Sequence, residues 1–201
     1  MLEDYTSLSL HLTDLAPDAL YTLPALQAAF LGSVEVLAVS RSDDAIGNAL
    51  FFFRAVLTHD SLRPGSVAGT PAGTPAPGDQ PPKWPSYAVA IRTAFAEQHV
   101  RLLTVMLSGI VEDFPNESLH TVSTLLRAMA MVWPQELATG LPLAVEAMPA
   151  TSVARETRAA FLTQIGTALV SGGQQEIKTA LQQLVRESRR ARDRRHGFSV
   201  Q

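Results

Sequence analysis

At 201 residues with 46% hydrophobic and 6% aromatic content, the chain is long enough for one domain with a sizeable core, and its many Ala and Leu residues favour helix over sheet. Cysteine is absent, which excludes a disulfide framework, a thiol nucleophile and a cysteine metal site. The net charge of −3 is uneven: positions 186–195 hold six arginines against Glu187 and Asp193, a local +4, so the remainder carries −7.

The N-terminus MLEDYTSLSLHL has Glu3 and Asp4 and no basic region ahead of an apolar core, so it does not read as a secretory signal. Leu2, Tyr5, Leu8, Leu12 and Leu15 recur at helical spacing, and Pro17 ends that helix. A second helix is expected from Thr22, an N-cap residue with Pro24 in the first turn, to about Ser40, with Leu26, Phe30, Val34 and Leu37 along one side. Ser42, Asp43 and Asp44 read as the cap and acidic first turn of a third, which buries Ile46, Leu50, Phe53, Val56 and Leu57. The triple Phe51, Phe52 and Phe53 reads as two adjacent buried sides, with an exposed hydrophobic site as the alternative.

Residues 63–86 hold seven of the thirteen prolines and four of the twelve glycines, so a long disordered loop is expected there within a single domain spanning 1–196. Within it, positions 81–85 read either as a polyproline ligand or as a solvated insertion with Trp84 tucked back on the nearest helix. From Tyr87 to Phe114 no proline interrupts the pattern. Phe95, Leu102, Met106 and Ile110 make one stripe, and Val100, Leu103, Leu107, Val111 and Phe114 make another beside it. So wide an apolar arc needs neighbours on two sides, and the segments 45–57 and 118–132 are apolar enough to supply them.

Pro115 stops this helix and Asn116 is the expected cap of the next, with Leu119, Val122, Leu125, Leu126, Met129 and Val132 inward. Pro134 opens a helix in which Gly140 and Pro142 predict a break or kink. Thr151 or Ser152 is the expected cap of a further helix, which Gly172 and Gly173 stop. The last helix carries Ile177, Leu181, Leu184 and Val185 and runs into a basic tail at 186–201. About eight helices with short connections predict an all-α α-solenoid of HEAT-like antiparallel pairs, with a single compact bundle as the alternative.

The histidines His11, His59, His99, His120 and His196 form no metal-ligand spacing, and His99 and His120 lie on apolar stripes where a satisfied core histidine is expected. Serine has no nucleophile elbow, and no glycine-rich phosphate turn follows a strand. Neighbouring acids such as Asp43 with Asp44 point about 100° apart on a helix and make no acid and base pair. No enzyme activity, cofactor or metal is expected. Arg186, Arg189, Arg190, Arg192, Arg194 and Arg195 are the candidate interaction surface, for RNA, an acidic protein or an import receptor. The alternative is the solvated end of a terminal helix, with cations near its C-terminal dipole, and the lack of interleaved aromatics weighs against direct nucleic-acid binding.

Three stretches, TLPALQAAFLGSVEVLAVSRSDDAIGNALFFFRAVLTHD (22–60), HVRLLTVMLSGIVEDFPNESLHTVSTLLRAMAMVWPQEL (99–137) and TRAAFLTQIGTALVSGGQQEIKTALQQLVRESRR (157–190), together resemble the C-terminal helix pairs of the transportin-3 and importin-13 group of β-karyopherins. The resemblance implies a HEAT superhelix that shuttles between cytoplasm and nucleus and carries cargo proteins, including arginine and serine-rich ones, past nucleoporins under control of the Ran GTPase. Members are several times longer, and their Ran-binding N-terminal repeats have no counterpart here. The arginine-rich helix that the transportin-3 branch uses for phosphorylated cargo belongs to an earlier repeat, so no functional residue is carried across. The chain is expected to be the C-terminal part of such a receptor, with Leu8, Leu12, Leu15 and Phe30 at an open edge once covered by a preceding repeat. An independent helical-repeat scaffold without a transport role is the alternative.

Overall fold

The computed structural model describes residues 2–63 and 84–197, so most of the proline and glycine-rich segment, and any ligand within it, lies outside the described residues. Its expected end is corrected: Trp84, Pro85 and Ser86 open a helix, and the side chain of Trp84 lies outside the described residues. That helix, α5 (Trp84–Glu112), carries the two-stripe arc, and Phe95, Leu102, Leu103, Met106 and Leu107 are fully buried.

One flank of α5 packs on α3 (Leu23–Val39) and the other on α7 (Pro134–Ala147). The expected neighbours, α4 (Asp43–Leu57) and α6 (Ser118–Val132), instead pack on each other, with α1 (Leu2–Leu15) beyond α4 and α9 (Gln174–Gly197) beyond α6. The reason is connection length. Links such as 40–42 and 113–117 turn each helix straight back, so consecutive helices fall in opposite layers and helices two apart become neighbours within a layer. The result is an all-α helical repeat of stacked pairs. The alternation breaks at the last hairpin, where α8 (Arg155–Ser171) packs chiefly on α9 while α9 covers α6 and reaches α5.

Among the described residues there are nine α-helices, the extra one being α2 (Pro17–Leu20), in which the proline that ends α1 occupies the first turn where its missing N–H costs nothing. Thr22 stands at the N-cap of α3 as expected, though its hydroxyl donates to the Ala19 carbonyl at 3.1 Å and not to the helix. Two other expected caps are corrected. Glu117, without a side-chain cap, replaces Asn116 at α6, and Ala154 replaces Thr151 or Ser152 at α8, where the Ser152 hydroxyl donates to the Glu112 carboxylate. Ser42 caps α4 as expected, accepting from the Ala45 N–H at 3.4 Å, and Gly172 ends α8 at φ +69.

Helix α7 runs unbroken through Pro142, because Leu137, Leu141, Ala144 and Val145 bury one continuous stripe that holds the turn despite the missing N–H. Gly140 contributes by close approach: a Cβ there would lie 2.9 Å from Cδ2 of His99 and 3.1 Å from Cδ1 of Leu103 on α5. Phe52 and Phe53 are fully buried, and Phe30 packs edge-on to Phe53 at 4.8 Å, so Phe30 belongs to the core and not to an open edge. Phe51 is 43% exposed with the Arg54 guanidinium 5.2 Å from its ring centroid.

Arg158, on the first turns of α8, is only 8% exposed. Its guanidinium donates to the carbonyls of Glu146 at 3.0 Å and Met148 at 2.6 Å, where α7 ends and its last acceptors have no helical partner. It is therefore a cap supplied from the next helix. Replacing Arg158 with Leu is expected to lower unfolding free energy by about 2–3 kcal/mol, because charged hydrogen bonds to buried acceptors are lost, and Arg158→Lys restores little since a single ammonium cannot span both carbonyls. Urea denaturation read by circular dichroism checks this.

At the start of α5, Tyr21 stacks on Tyr87 with centroids 4.8 Å apart, and His59 meets Tyr21 at 4.8 Å. Burial pushes the Tyr21 phenol up to about 12, helped by Asp14 and Tyr87. Burial also lowers His59 from its ordinary value of 6.5, against the opposing pull of Asp60, and its Nδ1 accepts the Ser61 N–H at 3.1 Å, which only the neutral ring can do. A depressed histidine stays neutral in the fold while the unfolded chain takes up a proton near pH 6.5, so stability is full above that pH and falls as pH drops through it. The urea midpoint is expected to fall between pH 7.5 and 5.5, and His59→Gln to flatten that change, with the same denaturation series as the check.

Candidate interaction site

The arginine run sits on an amphipathic helix, so its members need not act together. Ile177, Leu181, Leu184 and Val185 of α9 are buried against the body, as their spacing requires, and the intervening positions face outward. The amide of Gln174 ties the start of α9 to α6, donating to Ser123 Oγ at 2.8 Å and Thr124 Oγ1 at 3.2 Å. Between α9 and the first turns of α6 lies an open groove of about 650 Å³, floored by Leu119 and Val185.

Arg186, Arg189 and Arg190 line this groove, joined by Lys178 and His120. Arg189 donates to Asn116 Oδ1 at 2.8 Å, a neutral acceptor that leaves its charge unmatched, whereas Arg190 is paired with Glu187 at 2.7 Å. Glu117 and Asp193 line the groove as well. Arg192 turns away: its guanidinium donates to the Val111 carbonyl and so caps the C-terminal end of α5. Arg194 Nε donates to the Arg190 carbonyl at 3.3 Å outside the groove, and the side chain of Arg195 lies outside the described residues. Of the five candidate arginines whose side chains are described, three share a groove, Arg192 caps α5, and Arg194 lies outside the groove.

His120 corrects its sequence reading. It is exposed at the groove mouth, not on the core stripe, while His99 is half-buried with Nδ1 at 2.9 Å from the Ala96 carbonyl and its ring 5.8 Å from Phe95. Lys178 was missed by attention to the run itself, although its position eight residues before Arg186 puts it on the same helical face. Among the described residues no three His, Asp or Glu side chains gather as a metal site would require, and no helix is long and apolar enough to cross a membrane.

These features define a class, an all-α helical repeat with a basic groove at its closing hairpin. Compared with family models, curated proteins and solved structures, the chain matches none.

The division among the arginines has a measurable consequence. Arg192→Ala is expected to lower stability by about 1–2 kcal/mol through loss of the α5 cap, while Arg186→Ala, exposed on the groove wall, stays within about 0.5 kcal/mol of the parent in the same unfolding assay.

Proposed function

We propose that this chain is a non-catalytic protein-interaction segment, the C-terminal part of a nuclear transport receptor of the importin-β type. The observation that carries the reading is the outer face of α1. That helix buries Thr6 and Ser9 and packs Leu10 and Leu12 against the core, yet leaves Leu8 57% and Leu15 80% exposed on its outer side. A terminal helix designed to meet water would carry polar residues at those two positions. Helix α1 also heads the layer that continues through α4, α6 and α9, so a further helix pair stacked on it extends an existing packing surface. A stack of this kind gives long surfaces for cargo and nucleoporins, and the Ran GTPase is bound by repeats outside the present sequence.

An antibody raised against the C-terminal residues 174–201 tests this in the source cells. The expected result is a band several times heavier than 21.6 kDa. A band at 21.6 kDa overturns the receptor reading and leaves an independent helical-repeat scaffold. On the isolated chain, a dye of exposed apolar surface is expected to bind and to lose most of its signal in a Leu8→Ser and Leu15→Ser double variant; no dye signal in the parent sinks the idea of a covered α1 face.

A further inference from the structure

The groove between α6 and α9 has a charge pattern that the fold does not use. Lys178, Arg186 and Arg189 follow one face of α9, the first two without a hydrogen bond or ion pair to any described side chain and the third held only by neutral Asn116. Cations placed for stability alone would sit near the carboxylates that neutralise them, as Arg190 does with Glu187 and Arg101 with Glu35 at 2.5 Å. The face from Lys178 to Asp193 rises about 22 Å at 1.5 Å per residue, which matches about seven residues of extended chain at 3.3 Å each. Between the charges, Leu119 and Val185 give an apolar floor.

We infer that this groove binds an extended acidic segment of a partner protein, with carboxylates meeting Lys178, Arg186 and Arg189 and small apolar side chains meeting the floor. The geometry favours a peptide over a nucleic acid. A phosphodiester carries a charge at every step and would meet the carboxylates Glu117 and Asp193 that also line the groove, and no aromatic side chain other than the His120 imidazole is present for bases to stack on. A peptide places charges at intervals, so it can set carboxylates against the cations and neutral residues against the two acids. The inference rests on the chain being a protein-binding helical repeat and not on a transport role; the peptide assay is independent of the band mass and dye signal that test that role.

The probe is a fluorescein-labelled heptapeptide of alternating Asp and Ala, titrated by anisotropy with the full chain at low salt, beside the same peptide with Asn for Asp. The expected result is saturable binding of the acidic peptide alone, weakened about tenfold by Lys178→Ala with Arg186→Ala and restored by Lys178→Arg with Arg186→Lys. The matched pair Arg155→Ala with Arg194→Ala, which removes equal charge outside the groove, is expected to change affinity less than twofold. Arg155, Arg186 and Arg194 are exposed and Lys178 is half-buried, and an unchanged helical circular dichroism spectrum shows that each variant folds. Equal binding of the Asn peptide, an equal loss in the matched pair, or displacement of the peptide by single-stranded oligouridylate at lower concentration than by unlabelled peptide would each overturn the proposal.

Discussion

Helix α5 has apolar side chains on two flanks, and a helix of that kind is stable only when both are covered. Residues such as Phe95, Leu103 and Leu107 would otherwise expose far more apolar surface than a marginally stable domain tolerates. Covering them with α3 and α7 sets the first layer, and the short links that bring those helices into place force α4 and α6 together as the second. The corner between α6 and α7 is part of the same constraint. Trp133 is buried there with its ring centroid 4.3 Å from that of Phe95, so the turn between the layers is anchored to the central helix.

The ends of the stack answer this constraint differently. At the closing end, α8 and α9 fold as a hairpin over α6, with Arg192 capping α5 and Arg158 capping α7, so two arginines satisfy carbonyls that the central helices leave open. At the opening end, α1 fits through small polar side chains, Thr6 and Ser9, and through Tyr5, whose hydroxyl donates to the Ala28 carbonyl at 2.8 Å and whose ring passes over Gly32. A Cβ at position 32 would lie 2.4 Å from the Tyr5 ring, so glycine there lets α1 approach α3 closely. Leucines on its other side remain in water. Arginines cap helix ends at one end of the stack, and Leu8 and Leu15 are exposed at the other.

Basic residues at the closing end serve two purposes that charge alone does not separate. Arg192 and Arg158 work as hydrogen-bond donors toward helix ends, where a planar guanidinium with several N–H groups reaches backbone carbonyls. Lys178, Arg186 and Arg189 instead line a groove, with no carboxylate among the described residues paired to any of the three. The same helix α9 therefore carries Arg192, which caps α5, and Arg186 and Arg189, which line the groove.

Hydrophobic spacing by itself determined the helices: periods of three and four residues placed α3 through α9 close to their observed bounds, since the apolar face of a helix is written locally in the chain. It also determined most of the core, including Leu26, Ile46, Phe53, Leu125 and Ile177. Which helices touch was decided by the tertiary structure, because pairing depends on how links turn the chain and not on any one segment's pattern. That is why α3 and α7, not α4 and α6, flank α5, why α1 buries Thr6 and Ser9 beside Leu10 and Leu12, and why Pro142 leaves α7 unbroken. The candidate site shows the same limit. Six arginines were legible as a charged run, but only the packing of α9 on α6 and α5 assigned three to a groove, sent Arg192 to the Val111 carbonyl and brought Lys178 in from two turns away, since a helix distributes neighbours in sequence over different faces.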